Sequence, residues 1–311
     1  TLSSSSAASD VYKRQTVNSP SATISSRLIG AATSLTKAGT GVLVLSSTAS
    51  TYSGGTILNA GILMLGANST PTSGTVTNGP FGTSTLTLSG GALTNFGGSW
   101  TLANAISATA STTTDVFSTT GGALVLSGPI TGTGTIRNNT SNSATTEIKG
   151  DISSFQGTFD FTVANAAQNF RFTGSTAGSM DGSQAKFMLS GITTSSNRTF
   201  GIGGTEASNK FKMGELSGIG GIINNTGKAM TLEVGALGTS SSFAGVIVDT
   251  VVAGPTTHRT SFSKVGAGTL TLSGASTFTG DITVSGGTLE ITGRGAGAVS
   301  YTHLTLPTKR I

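Results

Sequence analysis

No cysteine occurs anywhere in the 311 residues, which excludes disulfides, thiolate nucleophiles and Cys-ligated zinc. Charge is scarce too. Charged residues make up 9% of the chain, 17 Lys and Arg against 12 Asp and Glu, so acid-base chemistry has few carriers. Two His, one Trp and three Tyr leave little for a general base or for aromatic stacking platforms. No apolar run reaches about 18 residues, so no segment reads as a membrane-spanning helix. Leu, Glu and Lys are too few for many helices. What the chain has is 46 Gly, many Ser and Thr, 14 Phe and a hydrophobic fraction of 35%. That mixture is too apolar for charged disorder. Thr, Val and Ile punctuated by Gly favour short strands and tight turns.

Both ends differ in texture from the rest. The opening "SSAASDVYKRQ" and the closing "VSYTHLTLPTKRI" resemble translated sequencing adapters. Residues 1–15 and 299–311 are therefore set aside as non-native tails, leaving 16–298 as one native fragment expected to continue into further protein at both ends. Lys13, Arg14, Lys309 and Arg310 against Asp10 supply +3 of the formal +5, leaving about +2. So small an excess does not call for a nucleic-acid or anionic-membrane partner.

Internal repetition organises the remainder. "LTKAGTGVLVLSSTASTYSGGTILNAGILMLG" from Leu35 returns as "FSKVGAGTLTLSGASTFTGDITVSGGTLEITG" from Phe262. Lys37, Gly39, Gly41, Leu43 and Leu45 match Lys264, Gly266, Gly268, Leu270 and Leu272. After one deletion Gly54, Gly61, Leu63 and Leu65 match Gly280, Gly287, Leu289 and Ile291. A second duplication at an offset of 86 aligns "GPITGTGTIRNNT" at Gly128 with "GELSGIGGIINNT" at Gly214, and with it Ile136 with Ile222 and Glu147 with Glu233. Aromatic-x-Gly steps at Tyr52, Phe155, Phe243 and Phe278 recur in all four pieces.

Within each piece, "GVLVL", "GALVL", "FDFTV" and "DITVSGGTLEI" alternate apolar with small polar residues, the pattern of strands with one face inward. Helical periodicity is missing, which disfavours helix-backed parallel units. Repeats near multiples of 20 to 22 residues favour a solenoid over an antiparallel sandwich, with the 86-residue block as about four coils. The expected fold is all-β: a right-handed parallel β-helix of about a dozen coils, its hand following the crossover rule. Ile136 with Ile222, and Leu43 with Leu270, are expected at equivalent inward positions.

The two long phrases at Leu35 and Phe262 resemble the autotransporter-associated β-strand repeat of bacterial surface passengers. The resemblance implies a β-helix exported to the surface of a Gram-negative-type bacterium, secreted or held there by a C-terminal translocator barrel or a sorting tail.

Candidate chemistry is thin. Glu147 with Asp151 is the closest pair among the first four acids, and glycosidases need two acids, but Glu147 recurs as Glu233 with no acid matching Asp151, so solvated strand-edge carboxylates explain them better. Asp249, His258 and Ser261 supply the residue types of a triad without the Gly-x-Ser-x-Gly elbow, so a loop histidine is the better reading. The glycines at Gly201 and Gly293 read as turns. The pairs Asn138-Asn139 and Asn224-Asn225 read as turn asparagines more than as glycan acceptors. Lys37 and Lys264 are expected in solvent at coil corners. Phe159 and Phe161 read as core. Trp100 and Tyr52 remain as stacking candidates for sugar.

No catalytic, cofactor-binding or metal residue is assigned, and no cofactor is expected. The favoured function is a structural and adhesive surface region without catalysis, contacting host, neighbouring cell or matrix. A polysaccharide-active β-helix enzyme and a passive stalk for another domain are the alternatives. Because the tails share none of the repeat pattern, deleting residues 1–15 and 299–311 is expected to change unfolding free energy by less than about 0.5 kcal/mol. A larger loss in a urea titration would show that they belong to the fold.

Overall fold

A computed structural model describes residues 20–119, 121–138, 144–161, 169–174, 181–189, 199–204, 210–219, 222–225, 229–251 and 257–293. Both proposed tails lie outside them. The described residues hold 29 strands and no helix. The largest sheet has 12 strands, from Ser21–Ile24 to Ile282–Val284; a second has seven, a third five and a fourth three. All strand pairings in these four sheets are parallel.

The chain visits the sheets in rotation. Ala92–Asn95 lies in the first sheet, Trp100–Leu102 in the second and Ile106–Ala108 in the third. Thr113–Val116, Ala123–Leu126 and Ile130–Gly132 then repeat the circuit, each pairing with its counterpart one coil before. Strands that return to the same sheet after a full turn and pair in parallel make a β-helix, and the 12-stranded ladder agrees with the dozen coils expected. The first coils have only two strands each. The second sheet begins at Trp100–Leu102, and its starting edge is covered by the excursion between Ile62–Leu65 and Leu86–Leu88: the Ser69 N–H donates to the Thr101 carbonyl at 2.9 Å, and the Asn68 Oδ1 accepts from the Thr101 N–H at 2.7 Å. A covered edge cannot recruit a foreign strand.

Alternation decides which residues enter the core. Leu43, Leu63, Leu93 and Val116 stack rung on rung in the first sheet, and Leu102, Leu126, Ile148, Phe172 and Ile202 in the second. All are buried. Leucine gives way to phenylalanine in the middle coils. There Phe159, Phe172, Phe187, Phe200 and Phe211 form one cluster; Phe172 stands edge-on to Phe159 with ring centroids 5.2 Å apart. Phe159 and Phe161, expected in the core, are both in it.

Coil length varies along the chain. Leu43 pairs with Leu63, about 20 residues on, whereas Phe187 pairs with Leu216, about 29 residues on. This overturns the second duplication as a structural one. Ile136 pairs with Phe159, Phe159 with Phe187 and Phe187 with Leu216, so the rung three coils beyond Ile136 is Leu216. Ile222 instead lies in the second sheet, and Glu147 and Glu233 also fall on different sheets. Residues inserted between strands break a fixed sequence offset, while parity along each strand survives. The flanking pair keeps its inward face but not its sheet: Leu43 and Leu270 are each the buried second residue of a four-residue strand, yet Leu43 lies in the 12-stranded sheet and Leu270 in the three-stranded one.

Truncating the aromatic cluster tests this core. Phe172→Ala, at a fully buried site, should cost about 3–5 kcal/mol. Phe96→Ala, at a side chain 51% exposed, should stay within about 0.5 kcal/mol. Equal urea midpoints for the two variants would contradict the assignment of inward faces.

Candidate functional site

The carboxylates are the natural place to look for chemistry, and most of the described ones have structural partners. Glu147, on Thr145–Ile148, accepts from the Thr173 hydroxyl and lies 3.3 Å from the Lys149 Nζ. Asp151 caps a turn, its Oδ1 accepting from the Ser153 N–H at 2.8 Å. The two acids thus serve separate tasks. Asp249 clips two segments together: Oδ1 accepts from the Thr260 N–H at 2.6 Å, and Oδ2 accepts from the N–H and hydroxyl of Thr279 at 2.9 and 2.6 Å. His258 belongs to an antiparallel pair with Thr250, and Ser261 to a strand paired with Thr231, so Asp249 works as a clip with both oxygens engaged by threonines.

Ion pairs run from coil to coil through the middle of the molecule. Arg137 grips Asp115 through Nε at 2.6 Å and Nη2 at 3.2 Å, one rung apart. Lys212 meets Asp181 at 2.7 Å, Lys210 meets Glu233 at 2.8 Å, and Lys186 approaches Glu215 at 3.9 Å. Burial pushes the Asp181 carboxyl upward, but hydrogen bonds from Lys212 and Ser183 outweigh it and hold the group below the ordinary aspartate range. Hydrogen bonding to Asp181 raises the Lys212 ammonium above the usual lysine value despite some burial. Among the described residues no three His, Asp or Glu side chains gather as a metal site.

Several polar expectations need correction. Gly201 is not a turn glycine; it lies within Thr199–Gly204, paired with Arg171. Gly293 follows the strand Thr288–Ile291, and its N–H donates to the Leu272 carbonyl at 3.3 Å. Asn224 and Asn225 lie on a strand as well, not in a turn. Asn138 is buried, with its N–H given to the Asp160 carbonyl, which removes it as a glycan acceptor; Asn139 lies outside the described residues. Tyr52 is buried, its hydroxyl 2.6 Å from the Thr56 Oγ1 and its pKa pushed up by burial, so it offers no platform to sugar. Trp100 is half-buried, and its indole N–H donates to the Phe96 carbonyl at 2.8 Å.

The largest correction concerns Lys37 and Lys264. Neither is in solvent: they are 6% and 1% exposed. The Lys37 Nζ donates to the carbonyls of Ala38, Gly39 and Ala60 at 3.0, 2.7 and 2.9 Å. The Lys264 Nζ donates to those of Val265, Gly266 and Gly286 at 2.7, 2.9 and 3.1 Å. In each case two acceptors lie in the turn that follows the lysine and the third in the next coil's turn, just before Gly61 or Gly287. Those glycines have φ of +71° and +66°, and a Cβ on Gly61 would collide with the Gly39 and Gly41 carbonyls. Burial lowers the pKa of both ammonium groups. The parity of the strand held the signal: Lys264 continues the buried positions Thr260 and Phe262, and Lys37 shares the inward-leaning parity of Leu35.

Residues 35–65 and 262–291, the segments that carry these two cages, match the sequence model of a family described as passenger-associated-transport-repeat. The chain carries the passenger repeat twice. Each copy is the same four strands: Leu35–Lys37, Val42–Leu45, Thr56–Leu58 and Ile62–Leu65, then Thr260–Lys264, Thr269–Leu272, Ile282–Val284 and Thr288–Ile291. The resemblance to autotransporter passengers read from the sequence thus rests on the segments that match, and the repeat family implies a secreted or cell-surface passenger region. No curated protein and no solved structure shows significant similarity to the chain.

Two measurements follow from the electrostatics. Since the Asp181 carboxyl is lowered, its stabilisation is complete above the unfolded value near 3.8 and disappears as pH falls through the lowered one. Asp181→Asn should therefore flatten the acid limb of stability below about pH 4; urea midpoints between pH 2 and pH 7 read this, and an unchanged limb contradicts it. Lys264→Met keeps the aliphatic stem and strips three carbonyls of their donor, which should cost about 2 kcal/mol, whereas a solvated lysine would cost almost nothing.

Proposed function

We propose that residues 16–298 are a structural and adhesive section of an exported passenger, a rod displayed at the surface of a Gram-negative-type bacterium that performs no catalysis. The observation that carries this reading is how the polar groups are used. The passenger repeats sit at either flank of the β-helix, and between them the described carboxylates Asp115, Glu147, Asp181, Glu215 and Glu233 pair with cations on the same coil or a neighbouring one. Side chains engaged in holding coil to coil are poorly placed to move protons on a substrate. Many Ser and Thr with little charge suit broad, shallow contact with host, neighbouring cell or matrix surfaces. Export would engage a translocator barrel or a sorting tail as partner, as the repeat family implies.

The alternative of a polysaccharide-active enzyme predicts turnover that depends on an acid. The test is to coat beads with the chain and measure adhesion to cells and matrix, and in parallel to assay acidic and neutral polysaccharides for cleavage with and without calcium. Adhesion without turnover is expected. Turnover abolished by Glu147→Gln or Asp249→Asn, in variants that keep the wild-type urea midpoint, would overturn the reading in favour of an enzyme.

A further inference from the structure

We propose that the two turns of each passenger repeat form a receptor for one monovalent cation of ammonium or potassium size, and that the repeat's own lysine is its occupant. Two independent copies support this. In both, the ammonium faces backbone carbonyls at the same relative positions: the residue after the lysine, the one after that, and the residue preceding the positive-φ glycine of the next turn. The acceptors are backbone atoms whose directions are fixed by those glycines, so the cage belongs to the turns and not to the lysine. The glycines also close the cage. A Cβ on Gly61 would strike the Lys37 Nζ, and one on Gly235, in the coil before the second repeat, would crowd the Lys264 Nζ.

The chemistry selects the ligand class. Three carbonyl dipoles with no carboxylate among the acceptors match a single positive charge, as carbonyl rings do where they replace the hydration shell of potassium. Nζ–oxygen distances of 2.7 to 3.1 Å exceed the about 2.3–2.6 Å of calcium and the about 2.0–2.1 Å of magnesium. A small divalent ion would leave the cage slack; an ammonium group spans it.

If the cage exists without its lysine, an added cation should refill it. The probes are potassium, ammonium and tetramethylammonium chlorides at equal ionic strength, applied to the full chain, to Lys37→Ala and Lys264→Ala, and to Lys37→Met and Lys264→Met. The Ala variants leave room beside the carbonyls, while the Met variants fill it with an uncharged stem. In tetramethylammonium all four variants should unfold at lower urea than the wild type. Moving to potassium or ammonium should raise the folding constant of the Ala variants about tenfold at a cation concentration about ten times its Kd. The wild type and the Met variants should not respond. Ala variants equally destabilised in every salt, or unfolded in every salt, overturn the proposal, as does an equal gain in the wild type or the Met variants.

Discussion

Coil stacks on coil in register, strand above parallel strand about 4.8 Å apart, and the rest of the molecule depends on that constraint. A side chain in a parallel ladder lies directly over the residue at the same rung of the previous coil, so each inward position repeats a similar environment down the axis. Leucine over leucine, as at Leu43, Leu63 and Leu93, fills a narrow interior without gaps. A polar or charged inward residue must find its partners in the same thin slab or leave them unmet, at a cost of about 1–3 kcal/mol for each buried group.

The chain meets that demand in two ways. In the flanking repeats the interior is mainly aliphatic, with Tyr52 and Phe262 among it, and the backbone of the tight turns provides the polar partners, with Lys37 and Lys264 each joining the turn of one coil to that of the next. In the middle coils phenylalanine replaces leucine, and ion pairs such as Arg137 with Asp115 and Lys212 with Asp181 connect successive rungs. Partly exposed pairs like these add little stability each. Their consistent rung-to-rung placement serves register: a slip of one residue would part the opposite charges as well as turning the apolar set outward.

Such an architecture favours length over depth. Each coil contacts only its neighbours, so coils can be added or widened without redesigning a common core. The described carboxylates and lysines are largely occupied in joining coils, and Tyr52, a candidate for stacking sugar, is inside. What faces outward is a hydroxyl-rich surface, and both flanks of it match the passenger-associated repeat.

The sequence by itself determined the fold class and the faces of the strands. Period-two alternation placed Leu43, Leu270, Phe159 and Phe161 inward, and the glycines at 39, 61, 266 and 287 located the turns, because both signals are local. Sequence spacing could not determine how many residues make a coil. Coil length varies with the residues inserted between strands, so the 86-residue offset aligned Ile136 with a strand on another sheet, while Leu216 took the equivalent rung. Nor did it reveal the lysines: composition puts lysine in solvent, and only the next coil's turn supplies the third carbonyl that makes burial tolerable. Partners one coil away in space are twenty or more residues away in the chain, and tertiary structure alone brings them together.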